Sequence, residues 1–369
     1  MTKVCHITSV HSSKDMRIFY KECVSLARNG FEVYLLAKGE SRMEAGVQVI
    51  GFGTLASGRG RRIKHALFEL YKKALEVDAD VYHIHDPELL HCGVKLKAAG
   101  KKVIFDSHEN YFEQIRCKPY LPLPLRKIVA RLYFNYETRV CKKIDAVVVP
   151  CLFQGVNIFE KRAKKTAFID NYPIIKMSNG PEALDKVGQN SNICCYVGLL
   201  TADRGIENIV KAVQNTEAEL LLAGPYYDPD FIEKIKKLDR KNKVTYLGCL
   251  DQNGVKELLS NCSIGLATLL NVGQNLKSDN FATKVLEYME AGIPVIISDY
   301  PYAKKTFDHL ECGICVNPES IDEISQAITT LLKDKKSAQK MGENGKAAVF
   351  NALNWSCEEK KLMDLYQEL

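Results

Sequence analysis

The sequence predicts an α/β protein made of two doubly wound, mainly parallel sheets. Strand-like apolar runs alternate with helical patterns from the first residues to about Val149, and a second alternation runs from Ile193 to about Leu332. Between them Asp170-Asn171-Tyr172-Pro173 halts the pattern. The polar stretch Lys176 to Asn192, with Gly180-Pro181 and Gly188, then reads as the domain boundary. A chain of 369 residues is long enough for two cores. The division expected is 1–170, 171–350 and a tail, 351–369.

Val4–Ser9 is the first strand, apolar and closed by the polar loop Val10–Asp15. A helix from Met16 to about Arg28 ends at Asn29-Gly30, and Phe31–Ala37 is the next strand. Val47–Phe52 is extended, Arg61–Glu76 helical, Val81–His85 extended, and Leu89–Ala99 helical with Gly100 as its stop. Val103–Asp106 and Ala146–Val149 are strands flanking a long helix, Leu123–Lys142. In the second half the strands are Ile193–Val197, Leu220–Ala223, Val244–Leu247, Ile264–Ala267, Val295–Ser298 and Gly313–Val316. Helical patterns at Ser337–Phe350 and Cys357–Leu369 close the chain, with its one tryptophan, Trp355, between them. Repeated strand–helix units place the ligand edge at the strand C-termini.

Composition is that of a globular protein, 46% hydrophobic and 26% charged, with no run of apolar residues long enough to span a bilayer. Met1-Thr2-Lys3 runs straight into a strand, so no signal peptide is expected. The thirteen cysteines are scattered and read as buried free thiols of a reducing cytoplasm. The pair in E-C-G-I-C-V lacks a second pair or histidines, which argues against zinc. Net charge is +6 and unevenly placed. Arg59, Arg61, Arg62 and Lys64 open one helix that continues to Lys72 and Lys73. Lys118, Arg126, Lys127, Arg131, Arg139, Lys142 and Lys143 mingle with Tyr120, Leu121, Leu123, Leu125, Tyr133 and Phe134. These are either solvated helix faces or attachment points for an anionic membrane, at roughly 1 kcal/mol per basic residue. Nucleic acid is not expected, since no binding motif appears.

The most informative stretch is Asp279 to Asp299, D-N-F-A-T-K-V-L-E-Y-M-E-A-G-I-P-V-I-I-S-D. Thr283 is expected to cap a short helix whose apolar side is Val285, Leu286 and Met289, with Gly292 ending it. The helix start faces the loop Lys277–Ala282 and, with Lys284 in the first turn, makes an anion site. Glu287, and Asp279 eight positions before it, flank that site with carboxylates. Spacing alone equally describes an ordinary sheet helix with a solvated Lys and Glu.

K-V-L-E-Y-M-E-A-G-I-P-V-I-I-S-D resembles the nucleotide-sugar motif of family 4 glycosyltransferases, retaining enzymes of the GT-B type. The resemblance implies two Rossmann-like domains facing across a cleft, the first for the acceptor and the second for the nucleotide sugar, with the last helix packing back on the first domain. The family usually has two glutamates separated by seven residues; here the second is Glu287 and the first place holds Asp279, a shorter carboxylate. G-L-L-T-A-D-R-G-I is similar to the family's phosphate-binding segment. Gly198 allows close backbone approach and Arg204 clamps a diphosphate bidentately, while Leu199 stands where the family often has another basic residue. His108, in F-D-S-H-E-N, matches the family histidine that faces the donor sugar. A-G-P-Y-Y-D-P-D and Y-L-G-C-L-D resemble the segments around the nucleobase, which assigns Gly224, Leu247, Gly248 and Leu250 to that pocket. Asn280 and Lys284 join the substrate-binding set.

The loop V-H-S-S-K-D-M-R lacks the glycine pair often found there, and offers Asp15 and Arg17 to acceptor or phosphate. His83, His85, Asp86 and Glu88 form a possible metal group but match the family's strand before the histidine loop, so a structural role is preferred. Asp78-Ala79-Asp80 and Asp228-Pro229-Asp230 spell D-x-D and are read as chance. No metal or other cofactor is expected, because Arg204, Lys284 and the helix start can meet the charge of the leaving diphosphate.

The resemblance thus implies front-face transfer from a uridine-diphosphate sugar to a glycan or polyprenyl-linked acceptor in surface polysaccharide synthesis. His108, Asp279 and Glu287 would be the catalytic set, at the cytoplasmic face of the membrane, with domain closure excluding water. Two other readings stay open: a nucleotide-sugar epimerase and a non-catalytic glycosyltransferase-like subunit. A Rossmann oxidoreductase is disfavoured because no G-x-G-x-x-G follows the first strand.

Overall fold

The computed structural model describes residues 1–53, 66–118, 121–175, 192–273 and 275–369. The basic cluster Arg59–Lys64, Tyr120 and nearly all of the linker stretch 176–192 lie outside the described residues. Two compact units are formed, Met1–Asn171 together with Trp355–Leu369, and Tyr172–Asn354. No described helix is long and apolar enough to cross a membrane.

The first unit holds an eight-stranded sheet, ordered β3-β4-β2-β1-β5-β6-β7-β8. Its strands are β1 (Lys3–Ser12), β2 (Glu32–Lys38), β3 (Arg42–Glu44), β4 (Val47–Phe52), β5 (Val81–Ile84), β6 (Lys102–Asp106), β7 (Ala146–Val149) and β8 (Thr166–Phe168). All pairings are parallel except β3 with β4. The first strand is flanked by β2 and β5, and there the winding direction reverses. Such a switch point opens a crevice at the strand C-termini.

The helices of this unit are α1 (Val24–Arg28), α2 (Tyr71–Val77), α3 (Leu90–Ala98), α4 (Tyr111–Arg116) and the long α5 (Leu123–Cys141). The segment Met16–Cys23, expected as the start of an ordinary helix, is a π-helical stretch leading into α1. Asp15 caps it, accepting from the backbone N–H groups of Arg17 and Ile18 at 2.9 Å each. Strand β1 also runs past the loop expected at Val10. Buried Asp86 gathers the Ser9 N–H at 2.6 Å, the Val10 N–H at 3.3 Å and the Thr8 hydroxyl at 2.7 Å, which holds the chain extended.

The second unit carries a six-stranded parallel sheet, ordered β11-β10-β9-β12-β13-β14. These are β9 (Ile193–Val197), β10 (Glu219–Ala223), β11 (Val244–Tyr246), β12 (Ile264–Ala267), β13 (Val295–Ser298) and β14 (Gly313–Val316). Helices α6 (Ile206–Val213), α7 (Pro229–Leu238), α8 (Gln252–Ser260), α9 (Thr283–Glu290), α10 (Pro301–Leu310), α11 (Ile321–Lys333) and α12 (Lys335–Asn351) cover both faces. Separate apolar clusters fill the two sides, one around Val210, Leu222 and Ile328, the other around Tyr288, Val295 and Phe307. Its switch point lies between β9 and β12.

The last helix, α13 (Trp355–Gln367), belongs to the first unit. Trp355 donates its indole N–H to the Ser25 hydroxyl at 2.9 Å, and Leu362, Leu365 and Tyr366 join the core of β1, β2 and α1. Nine of the thirteen cysteines are buried as free thiols, as expected for small apolar fillers; Cys117 and Cys249 are exposed instead.

Candidate functional site

In the second unit three glycines end three neighbouring strands. Gly198 donates its N–H to Ala223 at 2.8 Å and Gly224 donates to Gly248 at 2.8 Å, so the row continues the sheet by one rung. Gly198 and Gly224 have φ of +131° and +139°, and a Cβ on Gly224 would fall 2.0 Å from the Gly198 carbonyl oxygen. Only glycine fits such an approach. Leu247, partly exposed, donates its N–H to Leu222 at 2.9 Å, and half-buried Leu250 follows before α8. The edge is therefore mainly backbone.

Lys284 enters this edge from α9. Its Nζ lies 3.7 Å from the centre of the Tyr196 ring, and a Cβ on Gly198 would meet it at 2.9 Å. Aromatic contact of this kind holds a cation without neutralising it. Lys284 is buried and makes no ion pair among the described residues. Burial, then repulsion from the Arg204 guanidinium, lowers its pKa to about 7. Tyr196, which anchors its hydroxyl on the Leu199 carbonyl at 3.0 Å, escaped the sequence reading. Its place two residues before Gly198, on the same face of β9, was the available signal.

Arg204 lies in the turn Ala202–Arg204 that precedes α6, at the switch point. Gly205, with φ +76°, is packed so tightly that a Cβ would stand 2.0 Å from the Thr268 carbonyl at the end of β12. The Arg204 Nε is buried without a hydrogen-bond partner among the described residues and lies 3.7 Å from the Asp203 carboxylate. The Thr268 hydroxyl, packed against Gly205, is also buried and without a hydrogen-bond partner among the described residues. Unmet polar atoms of this sort are rare in folded proteins and call for an explanation.

The helix of the anion motif departs from expectation at its start. Thr283 does not cap α9: the cap position is Ala282, which makes no side-chain cap bond, and Thr283 is exposed. Ala282 has no side-chain acceptor to offer the first-turn N–H groups. Gly292, at φ +76°, ends the helix as expected. Glu287 is half-buried on α9, where its charge acts on Lys284. Asp279 and Asn280 precede the helix, and the Asn280 carbonyl is fixed by the Tyr300 hydroxyl at 2.9 Å.

The first unit presents a different edge. Arg17 is not available to a phosphate or acceptor: it is buried, bonded to both Asp106 oxygens at 2.9 and 3.2 Å, and donates to the Ile169 carbonyl at 3.0 Å. Asp15 is likewise committed to its helix cap and to His11 at 3.2 Å. The sequence reading of Arg17 as a ligand contact is therefore corrected, whereas Asp15 keeps part of its side chain exposed. Arg17 was chosen by loop position, which cannot reveal a partner as far along the chain as Asp106. His108 follows β6, its ring mostly buried and stacked on His11 with centroids 5.3 Å apart. Its Nε2 faces His85 Nδ1 at 3.3 Å. Burial lowers its pKa to about 4, against the opposing pull of Asp106.

Two groups of potential metal ligands occur there, His6 with Glu22, His83 and His85, and His85 with Asp106 and His108. The D-x-D pairs have structural work. Asp78 binds Lys101 at 2.6 Å and Asp80 accepts the Lys3 N–H at 2.8 Å, while Asp228 caps α7.

Two family descriptions match the chain, Glycosyltransferase Family 4 over residues 17–155 and Glycosyl transferases group 1 over residues 183–348. The uncharacterized glycosyltransferase MJ1607 of Methanocaldococcus jannaschii is 25% identical over 186 residues, 49% of this chain and 46% of that protein. A GDP-mannose-dependent alpha-(1-6)-phosphatidylinositol monomannoside mannosyltransferase of Mycobacterium tuberculosis is 23% identical over 189 residues, 48% of each chain. The matched region thus spans about half the length of these relatives. Among solved structures, Anabaena Alr3699/HepE in complex with UDP and glucose aligns over 100% of both chains with a TM-score of 0.72 at 14% identity. That likeness bears on the fold. The two family matches follow one another along the chain, one in each unit, and on them the protein belongs to the family 4, group 1 glycosyltransferases of GT-B fold.

Proposed function

We propose that this glycosyltransferase takes its sugar from a uridine-diphosphate donor and passes it, with retention at the anomeric carbon, to a glycan or polyprenyl-linked acceptor of a surface polysaccharide. One observation carries the donor half: Lys284 and Arg204 stand at one switch point, the first without an ion pair and the second with an unpartnered Nε, beside a glycine-lined backbone edge. A diphosphate supplies the missing negative charge. As the bond to the sugar breaks, charge grows on the leaving phosphate, and two fixed cations stabilise it more than they stabilise the bound donor. No metal is assigned to this step, since the chain's own cations match the charge. Glu287 and Asp279 would hold hydroxyls of ribose and sugar, and His108 would be the first unit's contact to the donor sugar.

The acceptor half rests on α5. Leu123, Leu125, Ile128, Val129, Leu132 and Tyr136 are exposed, forming an apolar stripe beside Arg126, Lys127, Arg131 and Arg139. A stripe of this width flanked by basic residues suits an anionic bilayer surface, where a lipid-linked acceptor would lie. Co-sedimentation with anionic vesicles is the expected behaviour; a protein that stays in the supernatant at low salt would refute it.

The deciding experiment is a thermal-shift panel of uridine and guanosine diphosphate sugars, followed by donor turnover with and without acceptor. A uridine-linked donor at about a hundred times its Kd should stabilise the fold by about 2.7 kcal/mol. Stabilisation by guanosine sugars alone would replace the donor. Binding with no turnover on any acceptor would make the chain a binding subunit.

A further inference from the structure

Five of the chain's eight histidines, His6, His11, His83, His85 and His108, gather at one edge of the first unit. Four of them, with Tyr366 from α13, form a continuous line of polar contacts. His83 Nδ1 meets the Tyr366 hydroxyl at 2.9 Å, and that hydroxyl meets His6 Nε2 at 3.2 Å. His6 Nδ1 meets His85 Nε2 at 2.9 Å, and His85 Nδ1 meets His108 Nε2 at 3.3 Å. Pairing of His6 with His83 across β1 and β5 puts these rings on one face of the sheet, and His85 follows two residues on. The rings of His6, His83 and His85 are fully buried and Tyr366 is nearly so.

A neutral imidazole has one N–H and one bare nitrogen, so each contact must have a donor and an acceptor. The line then has two possible polarities. In one, Tyr366 donates to His6 Nε2, His6 donates from Nδ1 to His85, and His85 carries its hydrogen on Nδ1. His108 Nε2 is then bare and its hydrogen lies on Nδ1. In the other, every hydrogen is reversed and His108 carries its hydrogen on the inward Nε2.

Two observations choose between them. His83 Nε2 is buried with no hydrogen-bond partner among the described residues. The first polarity leaves a bare lone pair there, whereas the second strands an N–H, the costlier and rarer defect. Asp106 Oδ2 lies 3.5 Å from His85 Nδ1, and this carboxylate is kept ionised by Arg17. The second polarity would turn a bare nitrogen toward it; the first turns an N–H toward it.

We propose that Tyr366 and Asp106, through His6 and His85, hold His108 in the Nδ1–H tautomer, so that the first unit offers a hydrogen-bond donor to the oxygen of an approaching ligand. Tyr366, His6 and His85 are positioning residues, and the C-terminal helix reaches the edge of the sheet through them. The tautomer stands on this geometry alone; its use toward a sugar hydroxyl rests on the function proposed above.

Long-range 1H–15N spectra of histidine-labelled full-length protein test it, with His108→Gln identifying the signal. We expect a bare Nε2 and a protonated Nδ1 on His108. In Tyr366→Phe, which keeps the ring and removes the hydroxyl, the His6 and His108 signals should shift toward mixed tautomers. Turnover should then fall several-fold while donor KM changes less than twofold. His83→Leu leaves the Tyr366 hydrogen only His6 as a partner and should preserve the His108 tautomer. A protonated Nε2 on His108, a doubly protonated His85, or a Tyr366→Phe spectrum unchanged at His6 and His108 would each overturn the proposal. So would a stoichiometric transition metal in the purified protein, since it would need the nitrogens that these bonds occupy. Expected spectra without any sugar-nucleotide turnover would leave the tautomer standing and refute the function instead.

Discussion

Arg17 and Arg204 look alike in the sequence, each an arginine at the entry to the first helix after a sheet strand, yet their surroundings are opposite. Arg17 is sealed inside the first unit by Asp106, with Glu22 at 3.1 Å on its other side. Arg204 keeps a buried Nε without a hydrogen-bond partner, near a lysine that rests on an aromatic face. A cation matched by its own carboxylates is part of the scaffold. A cation met only by Asp203 at 3.7 Å, beside a backbone edge lined by glycine, is on the function proposed above set up for charge that arrives from outside.

The largest effect that would sharpen this contrast is on stability. Arg17→Met should destabilise the protein by about 3–5 kcal/mol in urea unfolding, because it leaves Asp106 buried without its cation. Nucleotide affinity of the folded fraction should hardly change. Arg204→Ala should do the reverse: kcat/KM falls by about 2–4 kcal/mol of transition-state stabilisation, with unfolding free energy within about 0.5 kcal/mol of the parent. Normal turnover by that variant would erase the distinction drawn between the two arginines.

Acid offers a third way to break the comparison. His108 titrates near 4 when folded against 6.5 unfolded, and burial also holds His6 and His83 well below 6.5. Between those values the unfolded chain binds more protons, so stability falls as pH drops from 6.5 toward 4. The loss from His108 alone is about 3 kcal/mol, and His6 and His83 add to it. Stability measured by denaturant at pH 7 and pH 4.5 checks this; equal values would mean that the cluster is already charged. In the second unit, Lys284 titrates near 7 when free. A bound diphosphate raises that value, so affinity should be greatest below pH 7 and weaken above it, by at most about tenfold per pH unit. Calorimetry at pH 8 should detect proton uptake on nucleotide binding.

The fold was legible because its signals are local. Val47–Phe52, Ala146–Val149, Ile193–Val197, Ile264–Ala267, Val295–Ser298 and Gly313–Val316 have the same bounds in sequence reading and structure. Each is a short, largely apolar run carrying at least one Val or Ile. The strands that went unread, Arg42–Glu44 and Thr166–Phe168, are three-residue edge pieces with no such run. At the site, the glycines and Lys284 announced themselves by type and spacing. Arg17 did not, because its partner Asp106 lies 89 residues away. The Thr283 cap failed for a different reason: cap propensity is weak beside a backbone that already turns at Ala282.

The chain leaves the first unit at Asn171 and returns to it only at Trp355. The middle segment is continuous, whereas the unit around it lacks Trp355, Leu362, Leu365 and Tyr366 until residues 355–366 emerge from the ribosome. During synthesis the inserted half can therefore complete its core while the surrounding half still has a strip of apolar surface uncovered. Premature termination anywhere in α13 would strand that incomplete half, however well the inserted unit had formed.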